Sequence, residues 1–462
     1  MENAVGAQFI APTPLPQRDL ALSGEVLRNL WQTAVTSLQS LQSPLGVTAS
    51  GADGHFHAIF GRDSLWTVLL ALEAGRLLRA KEKGMELQDD HHQVDRKGQP
   101  YIFGWLHDLA STVLRGLARL QGQVVNDSNE EQPGRIVHEY WDPVPERMIA
   151  ARWPVMLNGC YYGSFDATFL YLITVAQVDA FFDDTRLLEE LWPSVELALQ
   201  WMLTWSDLDQ DGLVEYERRN PEGIGLDNQV WKDSSESLHV RDRRVQHPVA
   251  WIEVQGYAWA AYAAYIELAK KRLALTPALH EEIQQRMNNL QKGLQRFWLE
   301  DEQCPCLALE GDKRPIPVVA SNAGHLLWSA CLEQKQATQI AKRLLQPDML
   351  TPWGLRTLSE KAYYYNPLSY HCGSIWPFDN AVVALGLQKY GFEDEAQQIA
   401  KSVLEAMLAF DKPVELYTVQ PSSWIRSHRI EQDWFLADYF RACEVQAWTA
   451  GAVLYFTALL RE

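Results

Sequence analysis

No run of apolar residues in this chain approaches the roughly 20 needed to cross a bilayer. The 47% hydrophobic content of its 462 residues therefore reads as core, not membrane span. Positive charge is scarce as well. Lys and Arg number 41 against 59 Asp and Glu, a formal net charge of −18. Nucleic acid and anionic membrane surfaces both call for clustered cations, so neither is an expected partner; a neutral small molecule suits the balance better. Cysteine is sparse and scattered, at Cys160, Cys304, Cys306, Cys331, Cys372 and Cys443. Only Cys304 and Cys306 are close, and C-x-C without a second ligand pair is a poor zinc site. Idle thiols in a reducing cytosol are the expectation. The first residues, MENAVGAQFIAPTPLPQRDL, lack the basic start and apolar core of a secretory signal, which also points to the cytoplasm. No G-x-G-x-x-G, P-loop, G-x-S-x-G or H-E-x-x-H pattern occurs, which removes the usual support for nucleotide cofactors and for serine or zinc hydrolysis. No cofactor is expected. The oligomeric state is not legible.

What the sequence has in quantity is aromatic side chains, 18 Trp and 17 Tyr. Indoles and phenols fill cores and also form platforms for the apolar faces of sugar rings. Helical periodicity recurs almost everywhere. It predicts twelve helices, at about 24–43, 63–82, 102–121, 166–183, 190–206, 254–273, 277–298, 322–332, 334–346, 375–391, 393–410 and 442–460. Two stretches, 84–99 and 213–225, read instead as short hairpins. Paired helices without intervening strands or an internal sequence repeat point to an all-α (α/α)6 toroid: six helical hairpins in a closed ring, with the irregular loops gathered at one end. No linker divides the chain, so residues 1–462 read as one domain behind a short irregular segment, 1–22.

Four clusters carry candidate chemistry. Residues 225–262 place Trp231, Lys232, Asp233, Glu236, Glu253 and Gln255 before and into a helix opening near Val254. A carboxyl beside an indole is partly desolvated and can hold a proton at neutral pH, as a general acid must. On its own the string also reads as a solvated loop with helix-capping acids. FGRDSLW, residues 60–66, sets Arg62 beside Asp63 at a loop-to-helix junction. Asp63 could be a simple N-cap, yet the pair also suits adjacent sugar hydroxyls, the Arg donating and the Asp accepting. HCGSIWP, residues 371–377, contributes His371 and Trp376, and KPVELYTVQ puts Glu415 in a short extended segment between two helices. DLDQDG at 207–212 imitates the start of a calcium loop, but its twelfth position is Arg218, so the bidentate acid is missing and an Asp-rich turn is the better reading.

The order FGRDSLWT, GRIVHEYW, YYGSFDAT, DGLVEY, NQVWKDSSES, EVQGYAWAA, SNAGHLLW, GLRTLS, HCGSIWP, PVELY, QAWTAGA resembles the bacterial amylo-α-1,6-glucosidases, relatives of the glucosidase domain of glycogen debranching enzyme. The resemblance runs from about residue 50 to 455 and implies an (α/α)6 barrel that hydrolyses glycosides with inversion. The Trp231–Ser237 stretch is similar to the motif that bears the debrancher's acid, which carries the general acid onto Asp233. Pro413-Val414-Glu415-Leu416 resembles a Pro-Glu-Leu motif near the last helix, which carries the general base onto Glu415. Arg62-Asp63 is similar to the pair that holds the terminal glucose in glucoamylase-like toroids.

The expected activity is thus an exo-acting α-glucosidase for small α-glucosides or oligosaccharide ends. Trp231, Trp376, Tyr161 and Tyr162 should line a closed-ended cavity near Asp63 and Asp166. Two alternatives remain open: a sugar epimerase or isomerase using His55, His57, His138, His247, His325 or His371, and a non-catalytic carbohydrate-binding toroid.

Overall fold

The computed structural model describes residues 22–52, 54–82, 101–155, 158–421 and 434–461. The predicted hairpin at 84–99 and most of the N-terminal segment lie outside them. Among the described residues there are twelve main helices and one single-turn helix. They are α1 (Gly24–Leu41), α2 (Gly61–Glu82), α3 (Tyr101–Arg119), the one-turn α4 (Glu146–Ala150), α5 (Ala167–Phe182), α6 (Thr185–Trp205), α7 (Ile252–Lys271), α8 (Pro277–Gly293), α9 (Asn322–Trp328), α10 (Gln334–Leu344), α11 (Pro377–Lys389), α12 (Glu393–Phe410) and α13 (Ala447–Leu460).

Their packing closes a ring. Helix α2 packs on α5, α5 on α7, α7 on α9, α9 on α11, α11 on α13, and α13 returns to α2. Each of these inner helices carries an outer partner: α3, α6, α8, α10 and α12 follow their inner helices, and α1 covers α13. The sixth hairpin is therefore made by the two ends of the described chain. The sequence dictates which helix goes where. In α13 every residue from Ala447 to Leu459 is buried, and α11 is buried from Pro377 to Leu387. Helices apolar all round belong inside. Helix α1 instead buries Leu27, Leu30, Trp31, Ala34, Val35, Leu38 and Leu41, one stripe at three- and four-residue spacing. Helix α8 buries only Ile283, Met287 and Leu290. No helix among the described residues is long and apolar enough to cross a membrane.

Several boundaries differ from the periodicity. Helix α6 starts at Thr185, capped by Asp184, whose side chain accepts from the Arg186 and Leu187 amides. Pro193 lies inside it and obscured that start. The last helix begins at Ala447 rather than 442. Residues 213–225 do not form a hairpin; Tyr216 instead bridges Val249, far along the chain. Asp63 is not an N-cap, because α2 already begins at Gly61.

Short antiparallel ribbons hold the loops at the end where the inner helices begin. One joins Ile59–Phe60, Glu139–Tyr140 and Cys160–Tyr161, with Phe60 opposite Glu139 and Glu139 opposite Tyr161. Gly61 follows directly, and a Cβ there would stand 2.2 Å from the Val137 carbonyl oxygen. Only glycine lets α2 start this close to its neighbour, which fixes where Arg62 points. A second ribbon pairs Tyr417–Pro421 with Trp434–Asp438 just beyond Glu415.

Candidate active site

The backbone at the head of α2 delivers two charged side chains to one place. Arg62, 1% exposed, donates from Nε to Asp166 Oδ2 at 2.7 Å and from Nη1 to Asp233 Oδ2 at 3.1 Å. Nη2 reaches Ser164 Oγ at 3.3 Å, and that hydroxyl donates to Asp166 Oδ1 at 2.7 Å. Burial works against the guanidinium's charge, but Asp166 and Asp233 outweigh it and hold Arg62 ionised. The buried arginine thus ties the head of α5 to the loop that carries Asp233. Asp63, one residue on, accepts from Gln446 Nε2 at 3.2 Å. Burial pushes its carboxyl up to about 8, against the pull of Arg62.

Among the described residues Arg62 is the one side chain that bonds the Asp233 carboxyl, at Oδ2. A quarter of its side chain faces the cavity. Burial raises it to about 6, with Arg62 opposing. Glu415 has both oxygens engaged: the Tyr370 phenol donates to Oε1, and the Cys443 amide to Oε2 at 2.9 Å. Burial lifts it to about 7 despite these donors. A third acid, Glu139, takes the Trp141 indole N–H on Oε2 at 2.6 Å and the Trp153 indole N–H on Oε1. It too is raised by burial, to about 7.

These groups line one cavity of about 250 Å³. Its wall comprises Arg62, Asp63, His138, Glu139, Asp233, His371, Tyr370, Glu415 and Gln446, with Phe56, Phe60, Met148, Trp153, Leu226, Trp231, Trp376 and Trp448 supplying apolar surface. The heads of α2, α11 and α13 supply Arg62 and Asp63, Trp376, and Gln446 and Trp448 to this wall.

Of the residues singled out in the sequence, Arg62, Asp63, Trp231, Asp233, His371, Trp376 and Glu415 meet at this cavity. The others do not reach it. Tyr161 lies behind the wall, its hydroxyl accepting from the Leu226 amide at 2.8 Å, and Tyr162 donates to the Leu120 carbonyl at 3.0 Å. Asp166 serves Arg62. Lys232 turns into the core to donate to the Thr357 carbonyl, at 2.5 Å, and burial lowers it to about 8. Glu236 accepts from the Ser369 hydroxyl and, at 2.9 Å, from the Tyr370 amide. Glu253 is wholly buried at the head of α7. Gln255 pins the 214 segment, accepting from the Val214 amide at 2.9 Å and donating to its carbonyl at 2.7 Å. Lys232 and Glu236 thus staple the Asp233 loop to the 357 and 369 segments, and Gln255 holds the neighbouring 214 segment. Their alternation with Trp231 and Asp233 made all of them look alike in sequence.

Sequence reasoning singled out neither Glu139, Trp153, Tyr370, Gln446 nor Trp448 as a site residue, although GRIVHEYW and QAWTAGA contain three of them. The signal was available: an acid flanked by aromatic residues in GRIVHEYW is the same pattern that marked Asp233. Of the six candidate histidines, His138 and His371 line the cavity. His371 stacks on Trp376 at 5.1 Å and pairs through Nδ1 with Ser234 Oγ at 2.8 Å. His325 is buried behind Trp231, bonded to Asp379 at 2.7 Å and to the Tyr257 hydroxyl.

Asp207 and Asp209 of DLDQDG and Glu215 just beyond it bring ligand atoms within 4.8 Å of one another. A cation is already there: Lys313 Nζ lies 2.9 Å from Asp209, 3.2 Å from Asp211, and against Glu215. Arg296 adds a contact to Asp211 at 2.6 Å. The Asp-rich turn is a charge-matched clasp.

A closed helical ring with buried, unequally held carboxyls around one cavity is the architecture of a glycoside hydrolase. Residues 131–418 match the family described as the mannosylglycerate hydrolase MGH1-like glycoside hydrolase domain, and the chain belongs to that family. No curated protein matches the sequence. Among solved structures, the GH63 mannosylglycerate hydrolase from Thermus thermophilus in complex with Tris and D-glycerate is similar. Its TM-score is 0.61 at 14% identity, over 93% of this chain and 99% of that one. The same enzyme in complex with glucose gives 0.60 at 15% identity, over 93% and 99%. A rhamnosidase from Klebsiella oxytoca with rhamnose bound gives 0.51 at 15% identity, over 96% of this chain and 65% of that one. At these identities the likeness is one of fold.

Proposed function

We propose that the protein is an inverting, exo-acting α-glycosidase, with Asp233 as general acid and Glu415 as general base. The observation that carries this is the unequal holding of two carboxyls on one cavity. Arg62 fixes Oδ2 of Asp233, and no other side chain among the described residues hydrogen-bonds this carboxyl, so a proton on Oδ1 can pass to the glycosidic oxygen. Glu415 accepts a hydrogen bond on each oxygen, which stabilises the carboxylate that must take a proton from the attacking water. The two residues come from separate segments, one before α7 and one after α12, which suits placement on opposite faces of the sugar.

A volume of about 250 Å³ falls just below the roughly 300–1,000 Å³ usual for ligand sites. It supports one sugar ring and a small leaving group rather than a polymer. We read the substrate as a small α-glucoside, in line with the amylo-α-1,6-glucosidase resemblance. The family's namesake activity and the D-glycerate held by the Thermus thermophilus enzyme make an α-mannoside and a small hydroxy-acid or polyol leaving group the next candidates. The cavity draws on residues from Phe56 to Trp448, which supports the chain working as one catalytic unit. Six free, buried cysteines suit a cytoplasmic location.

The test is a screen of α-glucosides and α-mannosides of glycerate, glycerol and glucose, read by released monosaccharide, with proton NMR of the first product. The β anomer is expected. First release of the α anomer, or interconversion of free sugars without hydrolysis, would overturn the reading; the second outcome would favour an epimerase using His138 or His371.

A further inference from the structure

His138 and Glu139 are buried in the cavity wall with bonding capacity that the protein leaves unused. We propose that together they read a pair of hydroxyls on the bound sugar ring and so decide which hexose the site accepts. The inference rests on the glycosidase reading and deepens it.

His138 is 4% exposed and lines the cavity, and among the described residues no hydrogen bond reaches its ring: Nδ1 is sealed in the wall without a partner, and Nε2 is the nitrogen left to meet a ligand. Its ring is oriented by aromatic edges alone, Phe60 at 5.4 Å and Tyr161 at 5.7 Å. Burial, with Arg62 and Arg135 nearby, pushes its pKa well below the ordinary value, so the ring is neutral. A neutral imidazole offers one donor and one acceptor. Leaving a buried polar group unpaired costs stability, and a phenyl ring would fill the same aromatic niche without that cost. Such a residue makes sense when a ligand completes it.

Glu139, 3% exposed, is the complementary half. Two indole N–H groups fix its carboxylate, one on each oxygen, and each oxygen keeps a second lone-pair site. It forms no salt bridge among the described residues, and the charge of Asp233 raises its proton affinity. Both acids line the same cavity, which is the size of one sugar ring and a small leaving group. A fixed carboxylate accepts from two hydroxyl donors, while the imidazole donates to or accepts from one of them. That is a pattern for a vicinal diol. A site built to bond hydroxyls rejects the analogue lacking one far more strongly than an apolar pocket rejects a methylene.

The experiment uses His138→Phe and Glu139→Gln on the full chain. The probes are α-D-glucosyl fluoride, α-D-mannosyl fluoride and their monodeoxy analogues. His138→Phe should melt no lower than wild type, while kcat/KM on the preferred fluoride falls about 10- to 100-fold. Glu139→Gln should fall at least as far, chiefly through KM. For one monodeoxy fluoride the wild type should already be as poor as the variants, so that the substitution costs nothing further. A lower melting point for His138→Phe with sugar affinity unchanged would overturn the inference. So would an equal loss for both variants on every fluoride. If the wild type hydrolyses neither fluoride, the glycosidase reading has failed on its own. Calorimetric titration with D-glucose and D-mannose then decides the wall: affinity lost in His138→Phe supports it, and affinity kept overturns it.

Discussion

Removing the phenol that touches the proposed base, by Tyr370→Phe, separates a base from a bystander. The Tyr370 hydroxyl donates to Glu415 Oε1, and burial keeps its own pKa well above the ordinary value, so it stays a donor across the working range. A hydrogen bond to a charged group contributes about 1.5–3 kcal/mol. At 1.36 kcal/mol per pKa unit, its loss should raise Glu415 from about 7 by roughly one to two units. The direction of the effect follows from which form is active. The base must be ionised, so well below pH 6 activity is proportional to its ionised fraction and falls about tenfold for each unit gained. At alkaline pH the base is ionised in both proteins, and activity is limited only by the proton on Asp233. The variant should therefore lose about 10- to 100-fold in kcat/KM near pH 5 and approach wild type near pH 9 or above. The assay is kcat/KM from pH 5 to 9.5 on the best substrate of the screen, with the melting point checked at both ends. A loss of the same size at every pH would mean that the phenol only shapes the cavity. No loss would remove Glu415 from the base role.

Other substitutions test the remaining assignments. Asp233→Asn should cost most on glycosides with poor leaving groups, by about 10²–10⁴, and far less on glycosyl fluorides, which need no proton; equal loss on both kinds would refute the acid. Glu415→Gln should depress both kinds alike, because each needs an activated water, and steady-state rates on the two substrates side by side give the answer. Lys313→Met should destabilise the fold by about 3–5 kcal/mol, since it strands the buried carboxyl of Glu215. Burial already raises Glu215 to about 7 with Lys313 opposing, so without Lys313 its proton should bind more tightly still and the penalty should grow as pH rises past 7. Melting points at pH 5.5 and 8 would show it, and a variant as stable as wild type at pH 8 would refute it.

The toroid was legible because each layer writes a different pattern. Outer helices such as α1 show one apolar stripe, inner helices such as α13 are apolar on all sides, and nothing between them alternates like a long strand. Ends were harder wherever the cap contradicts the pattern: Pro193 inside α6 masked the start that Asp184 sets eight residues earlier. In the site, Arg62, Asp63 and Trp231 could be read because each sits at the head of an inner helix or in the loop beside it, where a charged or aromatic residue interrupts a buried run. Residues such as Lys232 and Glu253 interrupt it equally well but face the core. Periodicity tells how often a side chain turns inward; whether inward means cavity or core depends on contacts more than a hundred residues away, such as Lys232 with Thr357.

Burial raises every one of the acids of this cavity, and the groups that touch each carboxyl make them unequal. Asp63, Glu139, Asp233 and Glu415 share it, and Arg62, the cation that reaches an acid of the cavity directly, divides its bonds between Asp233 and Asp166. The carboxyl that touches the guanidinium, Asp233, is held lowest at about 6; Glu139 and Glu415, held by neutral donors, sit at about 7; Asp63, with one amide donor, sits at about 8. Protons therefore settle first on Asp63 and last on the residue proposed to donate one. In the empty cavity Glu415 holds its proton more tightly than Asp233, so the productive arrangement, Asp233 protonated and Glu415 ionised, is a minority state. Substrate can change that balance, because a glycosidic oxygen in place of water accepts from Oδ1 of Asp233 only when the proton is there. On the proposed roles, binding would draw the proton onto Asp233, and Arg62, which fixes its geometry, would make that proton easy to give away.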